Sequence, residues 1–215
     1  MRYMCFCTSV PALFSNEVVS AVGLLACSGL YWLYSFSVKP LVWLQRLLLA
    51  LIAAMGVVFV TMVSLAYSVD TIVTWSLPTV PISLWLNALM GGPLLAAITL
   101  YAAQWRALAG RFGLMLMAAP FVALAANTVV YIVQGGQLGG VANSVVAAAD
   151  LVPHYHTMLL AFALMCFAGC VLAAFTMRTV SREAVAHGGG ELAFSKRVLV
   201  RLLVSCLLVF AGVFI

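Results

Sequence analysis

The chain has 215 residues, of which 66% are hydrophobic and only 7% charged, with a mean hydropathy of +1.20 and a formal net charge of +5. Soluble globular domains carry about 25% charged residues, so a water-soluble domain is excluded at once. The excess positive charge sits beside the ends of apolar runs, where it reads as a topology signal and as contact with anionic lipid rather than with nucleic acid.

Six apolar runs, 18–38, 47–69, 82–104, 112–134, 157–177 and 198–215, predict six transmembrane helices in one polytopic membrane domain covering 1–215. Each is close to the ~20 residues a helix needs to cross the hydrocarbon layer. The fold class is therefore an all-α integral membrane bundle. Eight of the ten basic residues fall in the first, third and fifth gaps: Lys39, Arg46, Arg106, Arg111, Arg178, Arg182, Lys196 and Arg197. Basic residues stay on the cytoplasmic side, which puts the N-terminus and the even gaps outside a bacterial plasma membrane. Residues 1–12 lack the basic, apolar, small-residue order of a cleavable signal peptide.

Ahead of the first run, Ser15 is a candidate N-cap that places Glu17 in the first helical turn. A carboxylate there is stabilised by the helix dipole. Glu17 reads either as a capping charge at headgroup level or as a proton acceptor at the outer rim. The outer connection 70–81 carries Trp75 with Pro78 and Pro81 and almost no charge. In the third run, Met90-Gly91-Gly92-Pro93-Leu94-Leu95 predicts a kink with room for a close neighbour. That kink is either structural or the opening of a pocket for a lipid-like ligand. Asn87, and Asn127 with Thr128 in the fourth run, are the polar side chains within the spans, and helix-to-helix hydrogen bonding accounts for them.

The connection 135–156 contains two glycine pairs and a short apolar stretch, 141–151, predicted as a helix lying at the interface, followed by Pro153 and Tyr155. Trp75 and Tyr155 fit an aromatic belt at headgroup depth or a docking surface for a partner. The connection 178–197, with three consecutive glycines and four basic residues, predicts a cytoplasmic loop that includes His187.

Cysteine and histidine placement argues against bound metal. Cys27, Cys166, Cys170 and Cys206 lie in apolar runs, where cysteine packs as a small hydrophobe. Cys5 and Cys7 are too close in sequence for an unstrained disulfide. No apolar run contains a histidine, whereas a b-type cytochrome needs axial histidines on its spans. His154, His156 and Asp150 do not make a closed ligand set.

With these residues in view, the chain resembles the membrane anchor subunit of the dimethyl sulfoxide reductase family. The matching pieces are Leu13-Phe14-Ser15-Asn16-Glu17-Val18, Ser68-Val69-Asp70-Thr71 with Thr74-Trp75, Met90-Gly91-Gly92-Pro93-Leu94-Leu95, Gln134-Gly135, and Leu151-Val152-Pro153 with Tyr155. The resemblance implies an anchor that oxidises menaquinol near the outer face and holds no haem or metal itself. It implies as partners a ferredoxin-like iron–sulfur subunit and a molybdopterin catalytic subunit that reduces S-oxides or N-oxides. It implies Glu17 as proton acceptor from quinol, Asn16, Asp70 and Asn87 as quinol-pocket residues, and Trp75 and Tyr155 as partner-docking residues. Family members have eight spanning helices, and the chain starts where their third would start, without the histidine-bearing turn before it. The alternative from another class is a small-solute transporter, for which the Asn127, Thr128 and Gly-Gly-Pro features supply the polar groups and broken helix such carriers use.

Overall fold

The computed structural model of the chain describes residues 10–67, 74–75, 77–140, 142, 147–186 and 194–215. These residues form α1 (Val10–Ser35), α2 (Val42–Ala66), α3 (Thr79–Ala102), α4 (Arg111–Gln137), α5 (Ala148–Leu151), α6 (Tyr155–Ala186) and α7 (Lys196–Val213). Two 3-10 turns, Arg106–Ala109 and Leu138–Gly140, bracket α4, and the described residues contain no strand beyond an isolated bridge between Ala142 and Ala147. Helix is what the medium demands: hydrocarbon offers backbone groups no partner, so each segment must satisfy its own.

Among the described residues, five segments are long and apolar enough to cross a membrane: Asn16–Ser35, Val42–Ala66, Thr79–Ala102, Arg111–Gly140 and Tyr155–Ala184. The predicted sixth span corresponds to α7, which differs in kind. It has 18 residues, and Lys196, Arg197 and Arg201 fall within its first six positions. Its buried positions, Val198, Leu202, Ser205, Cys206, Val209 and Gly212, fall on one helical face.

Helix ends depart from the hydropathy boundaries because polarity and helicity are separate properties. α1 begins at Val10, not at 18, with Pro11 in its first turn where a missing N–H costs nothing. Glu17 therefore sits two turns inside the helix, and its expected capping position is corrected: the dipole's effect is confined to the first turn. α6 runs nine residues beyond the predicted end at 177, so Arg178, Arg182 and Glu183 are helical rather than looped. Nothing in 178–186 breaks a helix, and the first glycine comes at Gly188. At its other end α6 takes in His156, which the sequence places in the loop. Of the predicted interfacial helix over 141–151, the described part is the single turn of α5, with Ala147 ahead of it extended; 141 and 143–146, Asn143 and Ser144 among them, lie outside the described residues.

The chain divides into two compact units, Met1–Pro81 and Ile82–Ile215. In the first, α1 packs on α2. Of its buried hydroxyls, Ser20 and Ser64 donate to Glu17 O at 2.8 Å and Val60 O at 2.7 Å within their own helices, while Thr79 Oγ1 is buried without a partner among the described residues. In the second, α6 packs against both α4 and α7. The core joins Met90 and Leu94 of α3 to Met117 of α4, Phe162 and Cys170 of α6, and Leu202 of α7. Lipid is as apolar as these side chains, so close packing rather than the hydrophobic effect holds such helices together. Gly169 marks a close approach of α6 to α7: a Cβ there would lie 2.7 Å from Ser205 O on α7. Cys166, Cys170 and Cys206 are free thiols buried in this core, and Cys166 donates weakly to Val209 O at 3.6 Å. At the opposite end of α3 from Asn87, buried Tyr101 accepts the Ser195 N–H at 2.9 Å and stacks on Phe194, tying α3 to the start of α7.

Candidate functional site

Two asparagines give the second unit its polar centre. Asn127 of α4 is completely buried, and its Nδ2 donates to Asn87 Oδ1 on α3 at 2.7 Å. Asn87 Nδ2 in turn reaches the Tyr131 hydroxyl at 3.4 Å, a long bond. Thr128 turns its hydroxyl back to Leu124 O at 2.8 Å and takes no part. The helix-to-helix hydrogen bond expected for Asn87 and Asn127 is thus made between those two residues. α3 continues as a helix through Pro93, and Gly91 faces the ring of Phe210 on α7.

Tyr131 is also where the polar chain meets open space. A cavity of about 220 Å³ lies at this end of the bundle, walled by Tyr131 of α4, Tyr155, Met158 and Phe162 of α6, and Val213 and Ile215 near the end of α7. Tyr131 and Phe162 meet edge to face with centroids 5.0 Å apart. The Tyr155 hydroxyl donates to Tyr131 O at 2.7 Å, so both tyrosines are held in place. Gly135 permits this: a Cβ there would stand 2.7 Å from the Tyr155 ring. The Tyr131 hydroxyl accepts from Asn87, and the residue forms part of the cavity wall. Two further amide oxygens, Asn127 Oδ1 and Gln134 Oε1, are buried without a partner in the protein. A buried acceptor left unpaired costs about 1–3 kcal/mol, so this side of α4 can take additional hydrogen bonds.

An apolar cavity of ~150 Å³ holds a benzene ring. At about 220 Å³ the site has room for a flat one- or two-ring molecule, with aromatic walls to stack on it.

The residues singled out from sequence are distributed as follows. Glu17, partly exposed, and Asn16, exposed, lie on α1 in the first unit. Asp70 lies outside the described residues. Trp75 is exposed and packs on Tyr67 with centroids 4.9 Å apart. Asn87 and Tyr155 lie in the second unit, on either side of Tyr131. Tyr155 is turned inward onto Gly135 rather than standing free. Among the described residues no three His, Cys, Asp or Glu side chains are grouped to hold a metal ion. Cys5, Cys7 and His187 lie outside the described residues.

Sequence reasoning alone does not single out Tyr131, Met158 or Phe162. A signal exists for the first of them. Asn127, Tyr131 and Gln134 recur at spacings of four and three, which places all three on one face of α4.

The family model for the DMSO reductase anchor subunit (DmsC) matches residues 8–215. The protein is 36% identical over 146 residues to the C subunit of the anaerobic dimethyl sulfoxide reductase of Escherichia coli (strain K12), an overlap covering 67% of this sequence and 50% of that one. It is 33% identical over 144 residues to the anaerobic dimethyl sulfoxide reductase subunit YnfH of the same organism, covering 67% and 49%. The corresponding C subunit of Haemophilus influenzae is 26% identical over 148 residues, covering 68% and 52%. The chain spans about half the length of the curated relatives it matches. No solved structure matches it.

Proposed function

The chain belongs to the DMSO reductase anchor subunit family, and we propose that it holds a reductase complex on the bacterial inner membrane and oxidises menaquinol for it. The observation that carries this reading is the family match over 8–215, in a multi-pass membrane protein with five helices fit to cross a bilayer. The partners are an iron–sulfur subunit, which takes the electrons, and a molybdopterin subunit, which delivers them to an S-oxide or N-oxide. In our reading α7 makes a sixth crossing, with Arg201 snorkelling back toward Arg197, and the N-terminus lies outside.

Menaquinol must release two electrons and two protons. The electrons leave for the iron–sulfur subunit, and the protons need acceptors near the outer face. Glu17 is the proposed acceptor, since a carboxylate at a membrane edge is suited to general-base work. Asn16 and Asp70 are proposed to bind the ring near it. In the second unit, Asn87 acts through the Tyr131 hydroxyl, which hydrogen-bonds a quinone oxygen in the aromatic cavity. Glu17 and the Asn87–Tyr131 pair are separate contributors that can be tested one at a time. Trp75 is proposed to meet the partner subunit, while Tyr155 serves the cavity wall as well as any contact outside it. The transporter alternative has less support: Asn127 donates its amide to Asn87 rather than lining a passage.

The test is membrane fractionation. With the three subunits produced together, the iron–sulfur and molybdopterin subunits should sediment with the membrane, and without this chain they should stay soluble. Sedimentation that is indifferent to the chain would remove the anchor role.

A further inference from the structure

We propose that the groove between α4 and α6 at the Arg178 end binds one acidic phospholipid, with the phosphate on Arg178 and an acyl chain laid along the groove. The groove encloses about 260 Å³ and is walled by Leu114, Met117, Ala118, Phe121, Ala174 and Arg178. Five of these six side chains are apolar, and the sixth is a guanidinium. Such a division suits an amphiphile with a negative head, and it does not depend on the quinol reading.

The depth order of these residues follows from the packing. Met177 lies against Gly113, where a Cβ would come within 2.9 Å of its Cε. Arg178 therefore sits level with the first turn of α4, which opens with Arg111. From Leu114 to Phe121 the helix advances about 10 Å into the bundle. There Phe121 meets Phe167 edge to face, with centroids 6.3 Å apart, at the deep end. The groove is polar at its mouth and apolar below it.

Basic side chains gather near the mouth. Arg111 precedes Leu114 and Ala118 by three and seven residues, so it shares their face of α4. Arg182 stands one turn beyond Arg178 on α6. Glu183, the acid on this helix, is five residues from Arg178 and so turned well away from it around the axis. Guanidinium groups match phosphate oxygens in geometry and charge, and basic pockets between membrane helices take acidic lipid head groups. A zwitterionic lipid would bring its own cation to this mouth and be disfavoured. The neighbouring basic group of Lys196, Arg197 and Arg201 lines a hollow with Val200 on a single helix, with no second wall to hold an acyl chain.

The experiment is native mass spectrometry of the full chain in detergent, titrated with phosphatidylglycerol, with phosphatidylcholine of the same acyl chains, and with inorganic phosphate. One phosphatidylglycerol per chain should be retained in preference to phosphatidylcholine. Arg178→Gln should weaken it about fivefold, the effect of one basic residue at a lipid head. Ala118→Phe, which fills the groove floor and leaves every charge in place, should also weaken it, whereas Arg201→Gln should not. Both exposed positions tolerate substitution, and an unchanged unfolding temperature confirms that each variant is folded. Equal retention of the two lipids, or full retention by Arg178→Gln, overturns the proposal. Displacement by inorganic phosphate with no effect of Ala118→Phe marks a bare anion site and overturns it as well.

Discussion

The two units of this chain are built from the same kind of helix but finished in different ways. In the spans of α1 and α2 only 6% of residues are buried, against 28% in those of α3, α4 and α6. Gly29 and Gly56 in the first unit have nothing within reach of an added Cβ, while Gly169 in the second is pressed against Ser205 and Val209. The second unit also holds a cross-helix polar chain and a cavity; in the first, the buried hydroxyls of Ser20 and Ser64 bond within their own helices. Apolar composition alone does not tell a packed helix from a covering one. The second unit carries its own core, and the first offers apolar surface for something else to cover.

The sharpest way to break that comparison is a matched pair of glycine substitutions. Gly169→Leu should cost ~3 kcal/mol, the upper end of what overpacking does, because the side chain has to push α7 from α6. Gly29→Leu should stay within ~0.5 kcal/mol, as exposed positions do. Thermal unfolding in detergent reads both, and equal losses would erase the distinction between the units.

A smaller effect is expected at the partner contact proposed for the first unit. Trp75→Ala should weaken the hold on the iron–sulfur subunit by about thirtyfold, as loss of an aromatic anchor of ~2 kcal/mol does, and leave the chain's own unfolding temperature unchanged. Salt-washed membranes probed for both soluble subunits provide the check, and undiminished retention makes Trp75 a lipid-belt residue. Smaller still is the polar chain of the second unit. Asn127→Leu strands Asn87 and should cost ~1–2 kcal/mol. Adding Asn87→Leu should recover most of the loss, because removing both partners leaves nothing unpaired. A double variant as unstable as the single one would mean that the pair does not hold α3 to α4.

Several features can be read in the sequence because they rest on chemistry that survives without coordinates. Long apolar runs became helices, and Asn87 and Asn127, the polar exceptions within them, found each other. The cysteines of the second unit, with no ligand partners nearby, became packing residues. Helix ends are less legible, since hydropathy marks where polarity begins and not where helix stops. That difference moved Glu17 from the first turn of α1 to its third, carried α6 through Arg178 and Arg182, and brought Lys196 and Arg197 into the first turn of α7. The cavity is the least legible part. Tyr131 and Phe162 look like any aromatic residues in an apolar span until the neighbour of each face is known, although the spacing of Asn127, Tyr131 and Gln134 carries a usable hint.

Whether this protein draws electrons from menaquinol is tested most directly by Glu17→Gln in the complete complex. The quantity to measure is turnover with a menaquinol analogue against turnover with an artificial dye that reduces the catalytic subunit, both in one membrane preparation. Loss of a general base costs about a hundredfold or more, so quinol-dependent turnover should collapse while dye-dependent turnover and membrane attachment persist. Equal and undiminished rates with both donors would contradict quinol oxidation at this edge and leave Glu17 a charge at the membrane surface with no part in the chemistry.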